Sequence, residues 1–288
     1  MSASIKTKTS AKAAAFQRGR EGGLVHFLIV PFYNALQYRE LIRVVLGREL
    51  YERFRASYFG WIWAVVTPLL MLFVYVAVFS NMLKIESGPQ INYALSIFLG
   101  LLYFNLFAEL LTRAPMLLSE HANFIKKSIF PSEILAWTST LRSLTYAGIG
   151  FVVYLVSQLY IVGFIPLTAL LLPFILIPLF LLLLGLVWFF SALGAFTRDI
   201  SFMVAAVMPI FIFITPVFYS VIGQPLEMRL TVYINPLAPY VEMTREILLL
   251  GRPPDLMTFL IAWGVAVVVF YGGYSFFMRF RSVAVDVI

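Results

Sequence analysis

The 288-residue sequence has no cysteine and only two histidines. The first absence excludes a disulfide framework, a thiolate nucleophile and any cysteine-ligated metal. The second leaves His26 and His121, far apart, with no HExxH metal motif. Acids are scarce as well: Asp199, Asp255 and Asp286 are the only aspartates, beside eleven glutamates. No carboxylate pair stands at a spacing suited to magnesium, so metal-dependent prenyl or glycosyl transfer lacks its usual ligands. No glycine-rich cradle runs into Lys-Ser or Lys-Thr, which excludes nucleotide binding by a P-loop, and no cofactor is expected in this chain. Charged residues make up 12% of the chain against 61% hydrophobic, with mean hydropathy +0.92. That balance lies far from soluble domains and predicts an all-α integral membrane protein.

The stretch RELYERFRASYFGWIWAVVTP, residues 48–68, sets the organisation. No charge occurs from Gly60 to Leu83, enough to cross a bilayer as a helix. Arg53 and Arg55 stand at the mouth of that run, and the positive-inside tendency places the mouth in the cytoplasm. Six transmembrane helices are predicted, at about 60–83, 93–111, 141–163, 167–190, 202–222 and 257–278. Sixteen of the 21 Lys and Arg fall in inner segments and four in outer ones, with Arg142 at a boundary and both termini cytoplasmic. A seventh span at 240–250 would put Arg279 and Arg281 outside. The net charge of +7 is read as topogenic, since ten of the 21 cations precede residue 56, and no nucleic-acid partner is expected. Residues 1–33 read as a cytoplasmic tail without a signal peptide. The remainder, 34–288, is one transmembrane domain that opens with a helix over 34–55. There Leu46, Leu50 and Phe54 recur at helical spacing with arginines intruding, which suits an N-terminal interfacial helix; the alternative is a solvated helix. Between spans five and six, 223–256 holds five prolines, and Pro239 and Gly251 bracket a helix too short to span. Re-entrant or surface-lying outer helices are expected there.

No charge is predicted at mid-membrane, so proton or sodium coupling has no evident carrier and any driving force must come from a partner. Aromatics are plentiful, with 28 Phe, 15 Tyr and 5 Trp. Trp61, Pro68 and Tyr75 share one face of span one, and Met208, Phe211, Thr215 and Phe218 one face of span five. Two readings stand: helix packing, or a lining on which sugar rings stack. In SEHANFIKKSIF, residues 119–130, Phe124 and Ile125 are apolar where a loop should be polar, which marks a docking site. Lys126 and Lys127 beside them are also explained by positive-inside charge.

Four stretches resemble the permease subunits of polysaccharide ABC exporters, of ABC-2 type and O-antigen-exporter-like. They are RFRASYFGWIWAVVTPLL, NFIKKSIFPSEIL, FTRDISFMVAAVMPIFIFITPVFYS and INPLAPYVEMTREILLLG, which occur in the family's order and cover most of the chain beyond residue 35. The resemblance implies a homodimer in the bacterial inner membrane, in contact with membrane lipids and paired with two cytoplasmic ABC ATPase subunits that hold ATP and Mg. The implied cargo is a lipid-linked polysaccharide on undecaprenyl diphosphate. Capsule, teichoic-acid and small-molecule exporters share the permease fold, and an intramembrane lipid-sugar transferase is the alternative from a different class. On this resemblance Asn123, Phe124, Ile125, Lys126 and Lys127 form the ATPase-coupling segment. Arg198 and Asp199 are a second ATPase contact or merely a capped turn. Arg53 and Arg55 meet the lipid diphosphate, whose oxygens suit a planar guanidinium, or serve topology alone. Trp61, Tyr75, Phe211 and Phe218 line the glycan path. Asn235, Pro236, Tyr240, Glu242 and Arg245 close its outer end. The chain itself is expected to be a transport subunit and not an enzyme.

Overall fold

The computed structural model describes residues 24–287 except 56, 82–89, 123–124, 126–129, 222–223, 226, 228–231 and 233. Among the described residues all regular structure is helical. Helices α1 (Leu24–Gln37) and α2 (Arg39–Glu52) are split at Tyr38, and α3 covers Ile62–Asn81. Helix α4 (Gln90–Arg113) continues through a 3-10 turn, Ala114–Met116, into the short α5 (Leu117–Glu120). Then come α6 (Ile134–Val162), a 3-10 turn at Leu167–Leu171, α7 (Leu172–Phe196), α8 (Asp199–Ile214), α9 (Ala238–Leu248) and α10 (Leu256–Val287).

Four stretches, Tyr93–Glu120, Ile134–Val162, Leu167–Phe196 and Leu256–Arg281, are long and apolar enough to cross a membrane. Ile62–Val78 and Asp199–Ile214 are apolar but shorter. In order these six match the predicted runs, though their limits differ. Helix α6 starts before residue 141 because Ile134, Leu135 and Ala136 are themselves core residues, and this puts Arg142 well inside the helix. Helix α8 stops short of 222: Thr215 turns to extended backbone, and Asn235 Nδ2 donates to its hydroxyl at 2.7 Å.

The core lies where α4, α7 and α10 meet. Along α4, Leu95, Phe98, Leu99, Tyr103 and Leu110 are fully buried. Helices α7 and α10 make the most extensive pairing of the fold. Their backbones touch at Gly185 and Gly273, where an added Cβ on either would strike the other helix. In lipid, where apolar burial alone does not drive helices together, such close contact supplies dispersion energy instead. Trp188 fills the centre beside Trp137, Phe270 and Tyr274, and its Nε1–H reaches the Glu133 carbonyl at 3.1 Å.

The N-terminal helix begins earlier than the predicted 34, because α1 has partners. Phe32 stacks on Phe270 at 5.2 Å, and the Tyr271 hydroxyl donates to the Leu28 carbonyl at 2.8 Å. Helix α9 does not lie on the surface. Nearly every residue from Ala238 to Leu248 is buried, and its last carbonyls accept from Gln158 Nε2 (Leu248 O, 2.5 Å) and Thr168 Oγ1 (Ile247 O, 2.5 Å). These bonds satisfy backbone groups that a buried helix end would otherwise leave orphaned.

Candidate functional site

Helix α2 ends at Glu52, and the chain turns through Gly60, whose positive φ of 51° a glycine adopts at little cost, before α3 begins. This turn sets the α2 terminus against the C-terminal end of α4 and the first part of α6. Between them lies a cavity of about 660 Å³ lined by Glu49, Glu52, Arg53, Asn105, Glu109, Thr112, Arg113 and Arg142. Three glutamates thus face three arginines. A second cleft of about 260 Å³ shares Arg53, Asn105 and Glu109 with the first and runs on past Trp63, Pro68, Ser143 and Tyr146, between α3, α4 and α6.

The ion pairs divide into a buried set and an open set. Glu49, only 5% exposed, has Arg113 Nη1 at 3.2 Å, Arg142 Nε at 3.6 Å and His121 Nε2 at 3.5 Å. Burial by itself would raise the Glu49 carboxyl, but the His121 contact and the Arg113 and Arg142 charges outweigh it and hold the group below its ordinary value. For His121 burial opposes protonation, yet Glu49 and the Leu117 carbonyl, 3.0 Å from Nδ1, raise it above its ordinary value. Removing one member of such a buried set costs about 3–5 kcal/mol.

The open set is weaker. Arg53, its side chain 42% exposed, donates to Glu109 Oε1 at 2.9 Å and lies over Tyr146 with its guanidinium carbon 4.1 Å from the ring centroid. An exposed pair contributes ~0–1 kcal/mol and an exposed cation–π contact about as much. An anion entering the cavity can therefore take Arg53 from Glu109 at small cost, whereas Arg113 and Arg142 are held. Arg55 is exposed, with no partner among the described residues. Trp61 lies at the rim, its ring centroid 5.6 Å from Phe54 and 6.1 Å from Tyr146.

The other predicted aromatics stand elsewhere. Phe211 stacks on Phe107 at 5.1 Å, while Tyr75 and Phe218 pack around Ile97, Phe104 and Val217. Of the predicted coupling segment, Asn123, Phe124, Lys126 and Lys127 lie outside the described residues. Ile125 is buried, its N–H bonded to the His121 carbonyl at 3.2 Å. Arg198 is exposed, and Asp199 exchanges bonds of 3.2 Å with Thr197 at the start of α8, which makes a capped turn.

At the opposite end Arg245 and Glu242 form a pair 3% and 2% exposed, with Nη1 and Oε1 2.8 Å apart. Arg245 also donates to the carbonyls of Ser96, Val217 and Tyr219, tying the turn after α8 to α4 and α9. Asn235 caps α9 through the Leu237 N–H at 2.9 Å, Pro236 is half-buried beside it, and the Tyr240 hydroxyl donates to the Ala262 carbonyl at 3.2 Å.

Sequence reasoning passed over Glu49, Arg113, Arg142, His121 and Tyr146 as site residues. A signal was present: Glu49 and Arg53 are one helical turn apart, so they share a face of α2.

Residues 40–249 match the ABC-2 type transporter family. The chain is similar to the O-antigen export system permease protein RfbA of Klebsiella pneumoniae, 26% identical over 224 residues that cover 76% of this chain and 84% of that protein. It is also similar to the protein of the same name from Myxococcus xanthus, 25% identical over 248 residues, 85% of this chain and 94% of that one. A match across that much of an apolar helical chain has one consequence: this protein belongs to the ABC-2 type transporter family.

Proposed function

We propose that this chain is the permease subunit of an exporter that carries an O-antigen-like, lipid-linked polysaccharide across the bacterial inner membrane, driven by ATP hydrolysis on two separate ATPase subunits. The reading rests on the likeness to O-antigen export permeases over most of their length. Within it, six helices cross the membrane, α3 and α8 among them, and both termini are cytoplasmic. Two copies pair, and the exposed apolar faces of α3 (Ile62, Leu69, Phe73) and α8 (Phe202, Ile210, Phe213) meet lipid or the second copy.

The charged cavity is then the place where the lipid diphosphate waits at the cytoplasmic surface. Arg55 has an uncommitted guanidinium, and Arg53 supplies a second once Glu109 is displaced. Sugar rings follow along the cleft beside Trp61 and Tyr146 and then past Tyr75, Phe211 and Phe218. The α9 end, held by Arg245, closes the far side. The loop containing Phe124 takes up the ATPase motion.

The experiment is a deletion of the gene in the source bacterium, followed by complementation. Loss of surface polysaccharide with accumulation of lipid-linked polymer on the cytoplasmic side is the expected result. Normal surface polysaccharide in the deletion strain would overturn the proposal.

A further inference from the structure

The buried and open ion pairs are not separate. They form one contiguous path from His121, just before the unassigned part of the loop, to Arg53 at the cavity. His121 Nε2 is 3.5 Å from Glu49, and Glu49 is 3.6 Å from Arg142 Nε. Arg142 Nη2 is 3.1 Å from Glu109, and Glu109 is 2.9 Å from Arg53. Four elements contribute, α2, α4, α6 and the turn after α5, so the path crosses every helix that bounds the cavity. Arg113 flanks it, shared between Glu49 at 3.2 Å and Glu120 at 3.1 Å.

Two atoms of this path are unspent. Glu49 Oε1 and Arg142 Nε are both buried, and neither has a hydrogen-bond partner among the described residues. They carry opposite charge and belong to side chains already in contact. A small shift of α2 along α6 would close a direct bond between them and draw Arg142 away from Glu109. The same groups thus have two pairings, one with Arg142 bridging Glu49 and Glu109 and one with Arg142 committed to Glu49. A two-state element of this kind is what transmission between sites requires.

We propose that Glu49 is a positioning residue that links the loop after His121 to Arg53, so that displacement of the loop changes how tightly Glu109 holds the arginine. In the bridging pairing Glu109 is shared and Arg53 is loosely held. In the other, Glu109 is left to Arg53 alone and the arginine is withdrawn from an anion in the cavity. This rests on the permease reading above only in naming that anion as the cargo's diphosphate.

The test uses the full chain with its ATPase subunits, since the absence of native cysteine permits single reporters without background. Ser119→Cys reports the loop side and Ser57→Cys the arginine side. The thiol-labelling rate is compared between the nucleotide-free complex and the complex trapped with ATP and vanadate. With Glu49 present, trapping changes the rate at both positions. With Glu49→Gln, the change persists at 119 and is lost at 57, and export falls roughly 2- to 30-fold, the range mutations along coupling networks produce. Combining Glu49→Gln with Glu109→Gln adds no further loss. If Glu49→Gln fails to insert, Glu109→Gln alone cuts the same path at a less buried carboxylate and gives the same pattern. A change at 57 that survives both variants overturns the proposal, as does a wild-type complex in which 57 never responds. If both positions respond but no lipid-linked glycan is moved, the cargo assignment fails and the linkage stands.

Discussion

Replacing Arg245 with methionine removes the one cation in the buried network at the α9 end while nearly preserving volume. Glu242, 2% exposed, keeps only the Ser220 hydroxyl at 2.8 Å. The carbonyls of Ser96, Val217 and Tyr219 lose their donor. Breaking a buried pair from one side costs about 3–5 kcal/mol, roughly a hundred- to several-thousand-fold in the folded ratio. The stranded carbonyls would cost ~1–3 kcal/mol each if fully dry, but local relaxation makes such terms less than additive. The double variant Arg245→Met with Glu242→Leu removes the stranded carboxylate, and apolar replacement of a whole buried pair is often neutral. It should therefore recover part of the loss and retain only the carbonyl penalty. Thermal unfolding in detergent, followed by intrinsic fluorescence of the five tryptophans, reads the order directly. The expected sequence is wild type most stable, the double variant next and Arg245→Met least. A single variant that melts with wild type, or a double variant below the single, would refute the assignment of Arg245 as the clamp of this end.

Further outcomes follow from the charged end. Arg53→Lys should lower export while insertion and ATPase capture stay normal, because an ammonium cannot lie over Tyr146 and share Glu109 as a planar fork does; full export would leave Arg53 a topological role only. His121 is raised, so its stabilisation is complete below its ordinary value of 6.5 and is lost as pH climbs through the raised value. Glu49 is lowered, so its share is complete above 4.5 and is lost as pH falls through the lowered value. Melting temperature should decline on both sides, and His121→Gln should abolish only the alkaline decline. Phe124→Ala should weaken co-purification of the ATPase by about thirtyfold in affinity, the scale of a truncated aromatic anchor at ~2 kcal/mol; unchanged capture and export would shift coupling to Arg198 and Asp199. An impermeant thiol reagent should label Ser87→Cys and Gln224→Cys from outside, and not Ser128→Cys or Ser282→Cys. Outside labelling at 282 would break the six-span reading.

The apolar runs were plain in the sequence because hydropathy registers every residue of a long buried helix. Helix α7 and α10 follow from that alone. Helix α3 is shorter than its uncharged run, since the residues after Asn81 carry no such constraint from hydropathy. The short helix bracketed by Pro239 and Gly251 was visible through its stop signals, but its burial was not. Glu242 and Arg245 argue for exposure until Arg245 is seen to satisfy three carbonyls from distant segments. The same holds at the charged end. Arg142 looked like a boundary residue able to reach water, whereas Glu109 and Glu49, 33 and 93 positions earlier in sequence, neutralise it within the fold. Pairing across such separations leaves no periodicity to find. Arg53 stood out because it sits beside a hydropathy edge; its partners on α4 and α6 did not. The chemistry of Trp61 was half legible: its place at the rim follows from the edge, its contact with Tyr146 only from the packing.

The most direct measurement is transport by the purified permease and its ATPase subunits in sealed vesicles. Lipid-linked O-antigen-type polysaccharide is supplied on the outer face, where the ATPase is exposed, and its arrival in the lumen is followed with a sugar-specific lectin. The account predicts arrival that requires ATP, both kinds of subunit and Arg53. Arrival without ATP, or ATP-driven movement of small amphiphiles with the polysaccharide left outside, would contradict it.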